Sequence, residues 1–146
     1  MQDLKPLIRL NQREVDQRRR VLVQLQEALA KLLEEREAFE RQVVAERELA
    51  FTDLMLARSY PAFARLAEMK REEYERRAAT LRLEAERAEE AVAEAFRELK
   101  KFEQVQEQRD QAAKAARKYR ETQMFDEVAS IRFSRQQGAA EEEGEG

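Results

Sequence analysis

Carboxylate pairs are the residues of this sequence that most resemble catalytic residues. Glu34-Glu35 and Glu89-Glu90 are adjacent acids of the kind that could serve as general acid and base. Such a pair needs a concave, partly dry pocket to separate its two pKa values. The 146 residues include no His and no Cys, which excludes imidazole bases, thiolate nucleophiles and nearly all zinc or haem sites. We therefore expect no catalytic residue, no metal site and no cofactor, and we interpret the acids as a solvated helix face.

Residues that form turns are scarce along the chain. All three glycines lie in the last nine residues, and Pro6 and Pro61 are the only prolines. Charged residues make up 40% of the sequence and hydrophobic residues 42%, a composition typical of long helices. Such a sequence allows one break and no sheet. The predicted fold class is all-α, with two long helices in an antiparallel coiled-coil hairpin and the second helix the longer.

Two heptad seams support this fold, because their members follow one another at alternating steps of three and four residues. The apolar members of the first seam in the paired region are Leu22, Leu25, Leu29, Leu32, Phe39 and Val43, with Asn11, Arg18 and Arg36 as polar members that set register. The second seam consists of Tyr74, Ala78, Leu81, Ala85, Ala88, Val92, Ala95, Leu99 and Phe102. Because alanine keeps the second seam flat, a leucine-rich helix can approach it closely.

The tripeptide Ser59-Tyr60-Pro61 predicts the reversal, since proline suits the first turn of a new helix. The expected elements are a helix over about 4–58, a turn at about 59–61, a helix over about 62–136, one hairpin domain over 1–137 and a disordered tail over 138–146. Facing residues should then have numbers that sum to about 120, so that Leu29 faces Val92 and Phe39 faces Leu81. A proline kink in one continuous helix is the alternative.

Apolar residues remain at both ends of this hairpin. Beyond about residue 116 the second helix has no facing residues on the first helix. It nevertheless carries Met124, Phe125, Val128 and Ile131 on roughly one face among arginines. Exposed apolar residues at helical spacing indicate a partner surface. The alternatives are an overhang that folds against the N-terminal segment and one that is disordered. Near the turn, a second docking surface is suggested by Phe51, Leu54, Met55, Leu56, Tyr60, Phe63 and Leu66.

Charge and hydropathy limit the partners and the location. No apolar run approaches the roughly 20 residues of a membrane span, and no signal peptide opens the chain, so we expect a cytoplasmic protein. Residues 1–20 and 100–137 together carry a net charge of plus six. These two segments form the basic end of the predicted hairpin, and a basic surface of this kind could bind along a nucleic-acid backbone. Acids are interleaved throughout and no aromatic stacking platform is present, so we expect no nucleic-acid partner.

Several short segments resemble the flagellar FliJ family, the small coiled-coil component of the flagellar type III export apparatus. They are the opening Leu4 to Leu10, Val15-Asp16, the basic run Arg18-Arg19-Arg20, and the ending Glu121 to Ala129 with trailing Arg132 and Arg135. The resemblance implies an antiparallel hairpin similar to the central stalk of rotary ATPases, with its free ends inserted into the hexameric export ATPase ring. It also implies contact between the region nearer the tip and the cytoplasmic domain of the export gate, and an association with export chaperones.

Candidate contact residues follow from this resemblance. The residues expected to face the ATPase ring are Met124, Phe125, Asp126, Val128, Ile131 and Arg132, and those expected to face the gate are Phe51, Met55, Tyr60 and Phe63. The implied function is a non-enzymatic stalk or adaptor of flagellar biogenesis that couples the ring to the gate. It would sit at the cytoplasmic face of the inner membrane through its partners only. The alternative function is a generic homodimeric coiled-coil tether, built from a continuous helix of about 130 residues.

Overall fold

Two helices account for almost all of residues 3–144, which are the residues that the computed structural model describes. Helix α1 spans Lys5–Thr52 and helix α2 spans Leu54–Gly144, so the second helix is the longer, as predicted. At the start of α1, the amide of Lys5 donates a hydrogen bond of 3.0 Å to Oδ1 of Asp3. This bond satisfies an amide that has no partner within the first turn of the helix. Pro6 lies in the same turn, where its missing N–H costs nothing.

Asp53 separates the two helices. Its Oδ1 accepts a hydrogen bond of 2.9 Å from the amide of Met55, and its carbonyl accepts another of 2.9 Å from the amide of Ala57. These two bonds are those of a helix N-cap residue. The break therefore lies at Asp53 and not at the expected turn of residues 59–61.

Pro61 lies inside α2, at the eighth residue of that helix. Proline there removes the hydrogen bond that an ordinary residue would donate to the carbonyl of Ala57. Ala57 and Pro61 are both exposed, so water can solvate that carbonyl. Proline is thus tolerated within the helix, while the capping bonds of Asp53 determine where α2 begins. The expected bounds of 4–58 and 62–136 are replaced by those given above.

The C-terminal end of α2 also differs from the expectation. The helix continues through Gly138 to Gly144, where a disordered tail over 138–146 was expected; residues 145 and 146 lie outside the described residues. One glycine within a helix costs only about 1 kcal/mol relative to alanine. Ala139, Ala140 and three glutamates follow Gly138, and alanine and glutamate are strong helix formers. This composition offsets the cost of the glycine.

The chain divides into two compact units; the single hairpin domain over 1–137 stays a prediction. The hairpin unit is Pro6–Lys100, and the C-terminal unit joins residues 101–144 with residues 3–5 among the described part of the chain. Leu4 is the buried side chain of the C-terminal unit. All residues from 111 to 144 are exposed, so this part of α2 does not fold against another segment.

Within the hairpin unit, α1 and α2 pair in antiparallel orientation, as predicted. Nη1 of Arg36 lies 2.8 Å from Oε1 of Glu75, and the rings of Phe39 and Tyr74 have centroids 5.8 Å apart. Nearer the reversal, Phe39 and Val43 of α1 and Ala67 of α2 form one buried cluster. Rising numbers on α1 meet falling numbers on α2. This pairing excludes both the kinked continuous helix and the continuous parallel tether.

The register of the pairing differs from the expected one. Arg36 and Glu75 have numbers that sum to 111, Phe39 and Tyr74 sum to 113, and Val43 lies in a cluster with Ala67, at 110. The expected sum was about 120. Phe39 therefore packs against Tyr74 and not Leu81, because the reversal lies nearer the N-terminus than the proline.

A geometric rule accounts for the observed register. In an antiparallel pair, the two seams run in opposite directions. Seam side chains of the two helices therefore lie at the same height only where a three-residue step on one helix lies opposite a three-residue step on the other. With facing numbers that sum to 110, the α1 positions 36, 39 and 43 lie level with the α2 positions 74, 71 and 67. Steps of three and four then match on the two helices. The expected pairs Leu22–Leu99 and Leu25–Ala95 set a step of three opposite a step of four, which places the side chains out of level.

The buried side chains of the hairpin lie on the two seams or on their continuation at Val15 and Ala67. Those that are buried are Val15, Leu32, Phe39 and Val43 on α1 and Ala67, Ala78, Ala88 and Leu99 on α2. The other apolar seam residues are half-buried, and they are Leu22, Leu25, Leu29, Tyr74, Leu81, Ala85, Val92, Ala95 and Phe102. Three of the four buried α2 residues are alanine, so the larger side chains of α1 pack against a flat surface.

Truncation of a buried seam residue should destabilise the hairpin measurably. Leu32 is 3% exposed, and Leu32→Ala should lower the free energy of unfolding by about 2 to 3 kcal/mol, because it leaves a gap between the helices. Leu10→Ala is the matched control on the same helix, since Leu10 is 61% exposed, and should change stability by less than about 0.5 kcal/mol. Urea unfolding followed by circular dichroism measures both. Equal losses for the two variants would contradict the assigned seam.

Engineered disulfides test the register directly, because the chain contains no cysteine. The double variant Val43→Cys/Ala67→Cys should form an intramolecular disulfide on mild oxidation, since these side chains share one cluster. The control Val43→Cys/Ala78→Cys corresponds to the register first expected and should remain reduced. Mass spectrometry after alkylation of free thiols distinguishes the two. A disulfide in the control alone would overturn the observed register.

Candidate protein-binding surfaces

Open grooves, and not enclosed pockets, run between the paired helices. One groove of about 520 Å³ is lined by Leu32, Arg76 and Leu81 among others, and a second of about 570 Å³ lies beside Phe39, Phe63 and Met69. The pairs Glu34-Glu35 and Glu89-Glu90 are on exposed positions. Glu35 lines the first groove, but this groove is open to solvent and is therefore not the dry pocket that separates the pKa values of a catalytic pair. Within residues 3–144, no group of His, Cys, Asp or Glu is arranged to hold a metal ion.

Two of the four residues expected to face the gate lie in solvent at the reversal end of the hairpin. Phe51 is 81% exposed and Met55 is 78% exposed, one on each side of Asp53. Tyr60 and Phe63 are half-buried, and their ring centroids are 6.3 Å apart. The structure thus divides the four residues expected to face the gate into an exposed pair and a pair that also packs on the hairpin.

Phe63 belongs in part to the core, because it packs against the buried cluster of Phe39, Val43 and Ala67. Exposed apolar side chains near this end that sequence reasoning did not single out are Val44, Leu49 and Met69. All three are apolar residues outside the two seams, and that position was the available signal. We define the reversal surface as Phe51, Leu54, Met55, Leu66 and Met69, all of them exposed.

A cluster of charged side chains clamps the helices beside this surface. Arg71 donates from Nε and Nη2 to the two carboxylate oxygens of Glu40 at 2.6 and 2.9 Å, and from Nη1 to Glu68 at 3.3 Å. The hydrogen bond from Arg71 holds the pKa of Glu40 below its ordinary value, against a smaller opposing effect of burial. Glu40 in turn raises the pKa of Arg71. Lys70 completes the cluster with Nζ 5.0 Å from the ring centroid of Phe39.

The C-terminal unit carries a second exposed apolar face. It lies on the part of α2 over residues 111–144, all of which are exposed. Met124, Val128 and Ile131 are all exposed at spacings of four and three residues, which aligns them along one side of a helix. Phe125 is 75% exposed and borders Val128 on the same side. We define the C-terminal face as these four residues.

The other residues expected to face the ATPase ring have different positions. Arg132 is exposed and borders the C-terminal face, one turn after Val128. Asp126 is also exposed, but two residues after Met124 a helix has turned by about 200°, so Asp126 lies on the opposite side. Phe133 is an exposed aromatic residue that sequence reasoning did not name. It follows Met124 by nine residues and so also lies on the opposite side of the helix.

Among the described residues, neither α1 nor α2 contains a stretch that is both long and apolar enough to span a membrane.

Paired helices with open grooves and exposed apolar faces define a coiled-coil protein. Comparison with known families makes the assignment specific. The model of the family described as flagellar FliJ protein matches residues 1–138, and the chain belongs to this family. This membership makes it a component of the flagellar export apparatus and confirms the resemblance noted from its short segments. No curated protein and no solved structure matches the chain.

The clamp of Arg71 and Glu40 predicts a dependence of stability on pH. Since the folded pKa of Glu40 is lowered from its ordinary value of 4.5, the bond stabilises the hairpin above that pH and is lost as pH falls through the folded pKa. Glu40→Gln should therefore lower the melting temperature at pH 7, and the difference from the unmodified chain should shrink below about pH 4. Thermal melts followed by circular dichroism at several pH values measure this difference.

Glu48→Gln is the matched control for this experiment, because Glu48 is an exposed carboxylate on the same helix. It should melt at the same temperature as the unmodified chain at every pH tested. A difference for Glu40→Gln that persists unchanged in acid would show that the clamp does not act through the charge of Glu40.

Proposed function

We propose that this chain is a non-enzymatic stalk of the flagellar type III export apparatus, which couples the hexameric export ATPase ring to the export gate. Family membership supports the placement in the export apparatus. The exposed C-terminal face is the observation that carries the more specific role. All 34 residues from 111 to 144 are exposed along a single helix, where Met124, Val128 and Ile131 align on one side and Phe125 borders them. A helix face of this kind binds a complementary groove on another protein.

The C-terminal face is the proposed contact with the ATPase ring. Met124, Val128 and Ile131 would provide the apolar contact, and Arg132 beside them would pair with an acidic group on the ring. Phe125 is the largest exposed side chain of the face, and aromatic anchors commonly dominate the affinity of an interface. Asp126, on the opposite side of the helix, would contact the ring only if the ring surrounds the helix on all sides.

The reversal surface is the proposed contact with the cytoplasmic domain of the export gate. Phe51 and Met55 are exposed there, and the groove of about 570 Å³ beside Phe63 continues the apolar surface along the hairpin. Tyr60 and Phe63 would act mainly by holding the reversal in shape, since both are half-buried. The bidentate clamp between Arg71 and Glu40 would keep the two helices together where the gate pulls on them.

Coupling requires that binding at one surface change the binding at the other. Met55 and Met124 both belong to α2, so one helix carries residues of both proposed contacts. The matched steps of the seams resist sliding of α1 along α2, because a shift of one residue would put every buried side chain out of level. We place the protein at the cytoplasmic face of the inner membrane, attached through its partners, and we include export chaperones among those partners.

Substitutions in the two surfaces should separate the two partners. Phe125→Glu should weaken binding to the purified ATPase ring by at least tenfold, because it places a charge in an apolar contact, and should leave binding to the gate domain intact. Met55→Glu should have the reverse effect. Surface plasmon resonance with each partner immobilised measures both affinities for both variants.

Phe133→Glu is the matched control, since Phe133 is an exposed aromatic residue of the same helix on the side opposite Met124. It should bind both partners like the unmodified chain. Full binding of Phe125→Glu to the ring would refute the proposed ring contact, and full binding of Met55→Glu to the gate domain would refute the proposed gate contact. Absence of an export-type ATPase from material co-purified with the chain would remove the stalk role as a whole.

A further inference from the structure

The C-terminal face of α2 has charged residues placed at regular intervals before and after its apolar centre. Continuing the steps of three and four residues in both directions from Met124, Val128 and Ile131 gives a longer seam. Its members are Arg117, Glu121, Met124, Val128, Ile131, Arg135, Gly138 and Glu142, all exposed and all within α2. The seam is basic at its first member and acidic at its last. Such a pattern is complementary to its own reverse.

We infer that this seam pairs in antiparallel orientation with the same seam of a second copy of the chain. The geometric rule that the hairpin unit obeys, three opposite three and four opposite four, allows only certain registers for such a pair. One of them sets residues opposite each other when their numbers sum to 259. Val128 then lies level with Ile131 of the second copy, and Met124 lies level with Arg135, whose aliphatic stem can pack on it. Because the pairing is symmetric, each contact occurs twice.

Charge complementarity selects this register. Arg117 lies level with Glu142 of the second copy, at both ends of the overlap. Residues that border the seam meet across it in pairs whose numbers sum to 261 on one flank and 257 on the other. The first flank sets Arg120 opposite Glu141 of the second copy, where its Nε now makes only a long bond of 3.4 Å to the carbonyl of Ala116. No pair of like charges arises along the seam or on either flank.

The second flank adds an aromatic contact. Phe125 lies opposite Arg132 of the second copy, which is the arrangement of a cation–π pair. Glu121 lies opposite Gly138 of the second copy, and the space around Gly138 is open, so the longer side chain is accommodated there. The acidic end of α2, which no contact within the chain explains, acquires a role as the counterpart of Arg117 and Arg120.

The neighbouring register and the parallel arrangement are both disfavoured by charge. A sum of 252 would bring Met124 level with Val128, but it would also set Arg117 opposite Arg135, Lys118 opposite Arg132 and Glu127 opposite itself. Like charges directly opposite each other destabilise a helix pair. A parallel pair in register would set each charged residue of the seam opposite its own copy. The antiparallel register with a sum of 259 therefore fits the sequence of the face best.

The consequence for function rests on the role proposed above. Pairing of two copies covers Val128, Ile131 and Phe125, which are among the residues proposed to bind the ATPase ring. The ring and the second copy then compete for one face, so the self-paired form is a resting state that keeps the apolar face out of water until a ring is present. The overlap contains few apolar layers, and the pairing is accordingly weak and reversible.

Sedimentation equilibrium of the full chain over a range of concentrations tests the inference, with no ATPase present. A reversible monomer–dimer equilibrium is expected. Glu142→Lys should raise the dimer dissociation constant about fivefold or more, since it replaces two attractive pairs with two repulsive ones. Arg117→Glu should weaken the dimer similarly. The double variant Arg117→Glu/Glu142→Lys should restore the affinity, because it exchanges the charges of the pair.

Glu143→Lys is the matched control: it changes the net charge by the same amount at the neighbouring residue, which lies outside the seam. It should leave the dissociation constant within about twofold of the unmodified value. Circular dichroism should be unchanged in every variant, since all these positions are exposed.

Two results would overturn the inference. One is a chain that remains monomeric to about millimolar concentration. The other is a dimer that responds to Glu143→Lys as strongly as to Glu142→Lys, or whose affinity the double variant does not restore, because the second copy would then occupy a different face. These failures are separate from failure of the proposed function, because dimerisation is measured without the ring and ring binding is measured with Phe125→Glu.

Discussion

Level alignment of the two seams is the constraint on which the hairpin depends. Each helix presents a side chain to its partner after three residues and then after four, and antiparallel helices read this alternation in opposite directions. Only where equal steps meet can the larger side chains of α1, such as Phe39 and Val43, lie against a small one of α2, such as Ala67. The observed contacts obey this rule with facing numbers near 110. The burial of Val15, Leu32 and Val43 on one side and of the alanines on the other follows from it.

Polar contacts complete this alignment at the reversal end. The bidentate bond from Arg71 to Glu40 and the bond from Arg36 to Glu75 join α1 to α2 beside the cluster of Phe39. They are partly exposed and contribute modestly to stability. Their geometric effect is larger, since a shift of the helices by one residue would break them together. Packing and ion pairing thus specify the same register.

Exposed apolar surface is the link between this simple fold and its function. The hairpin has room for only one layer of buried side chains, so residues outside the seams face solvent. At the reversal surface and on the C-terminal face these residues are large and apolar, which is unusual for the surface of an isolated monomer. Membership in the flagellar FliJ family gives these surfaces a context in protein export. The proposed ring contact and the inferred self-pairing both explain why the C-terminal face remains apolar.

Features that depend on neighbouring residues could be predicted from the sequence, and features that depend on distant contacts could not. Local sequence was sufficient for the helices, for the membership of the seams and for the apolar character of Phe51, Met55 and the C-terminal face, because glycine content and residue periodicity act over a few neighbouring residues. The family was also recognisable from short segments. Asp53 could have been read as an N-cap before Leu54-Met55-Leu56, but the proline at 61 was the more conspicuous signal.

The tertiary structure alone decided the register of the hairpin and the partial burial of Phe63. A seven-residue repeat looks the same after every shift of one heptad, so periodicity cannot say which residues face each other. Contacts between residues far apart in sequence, such as Glu40 with Arg71 and Phe39 with Tyr74, make that choice. They depend on where the chain turns back, and the turn depends on two hydrogen bonds to one aspartate.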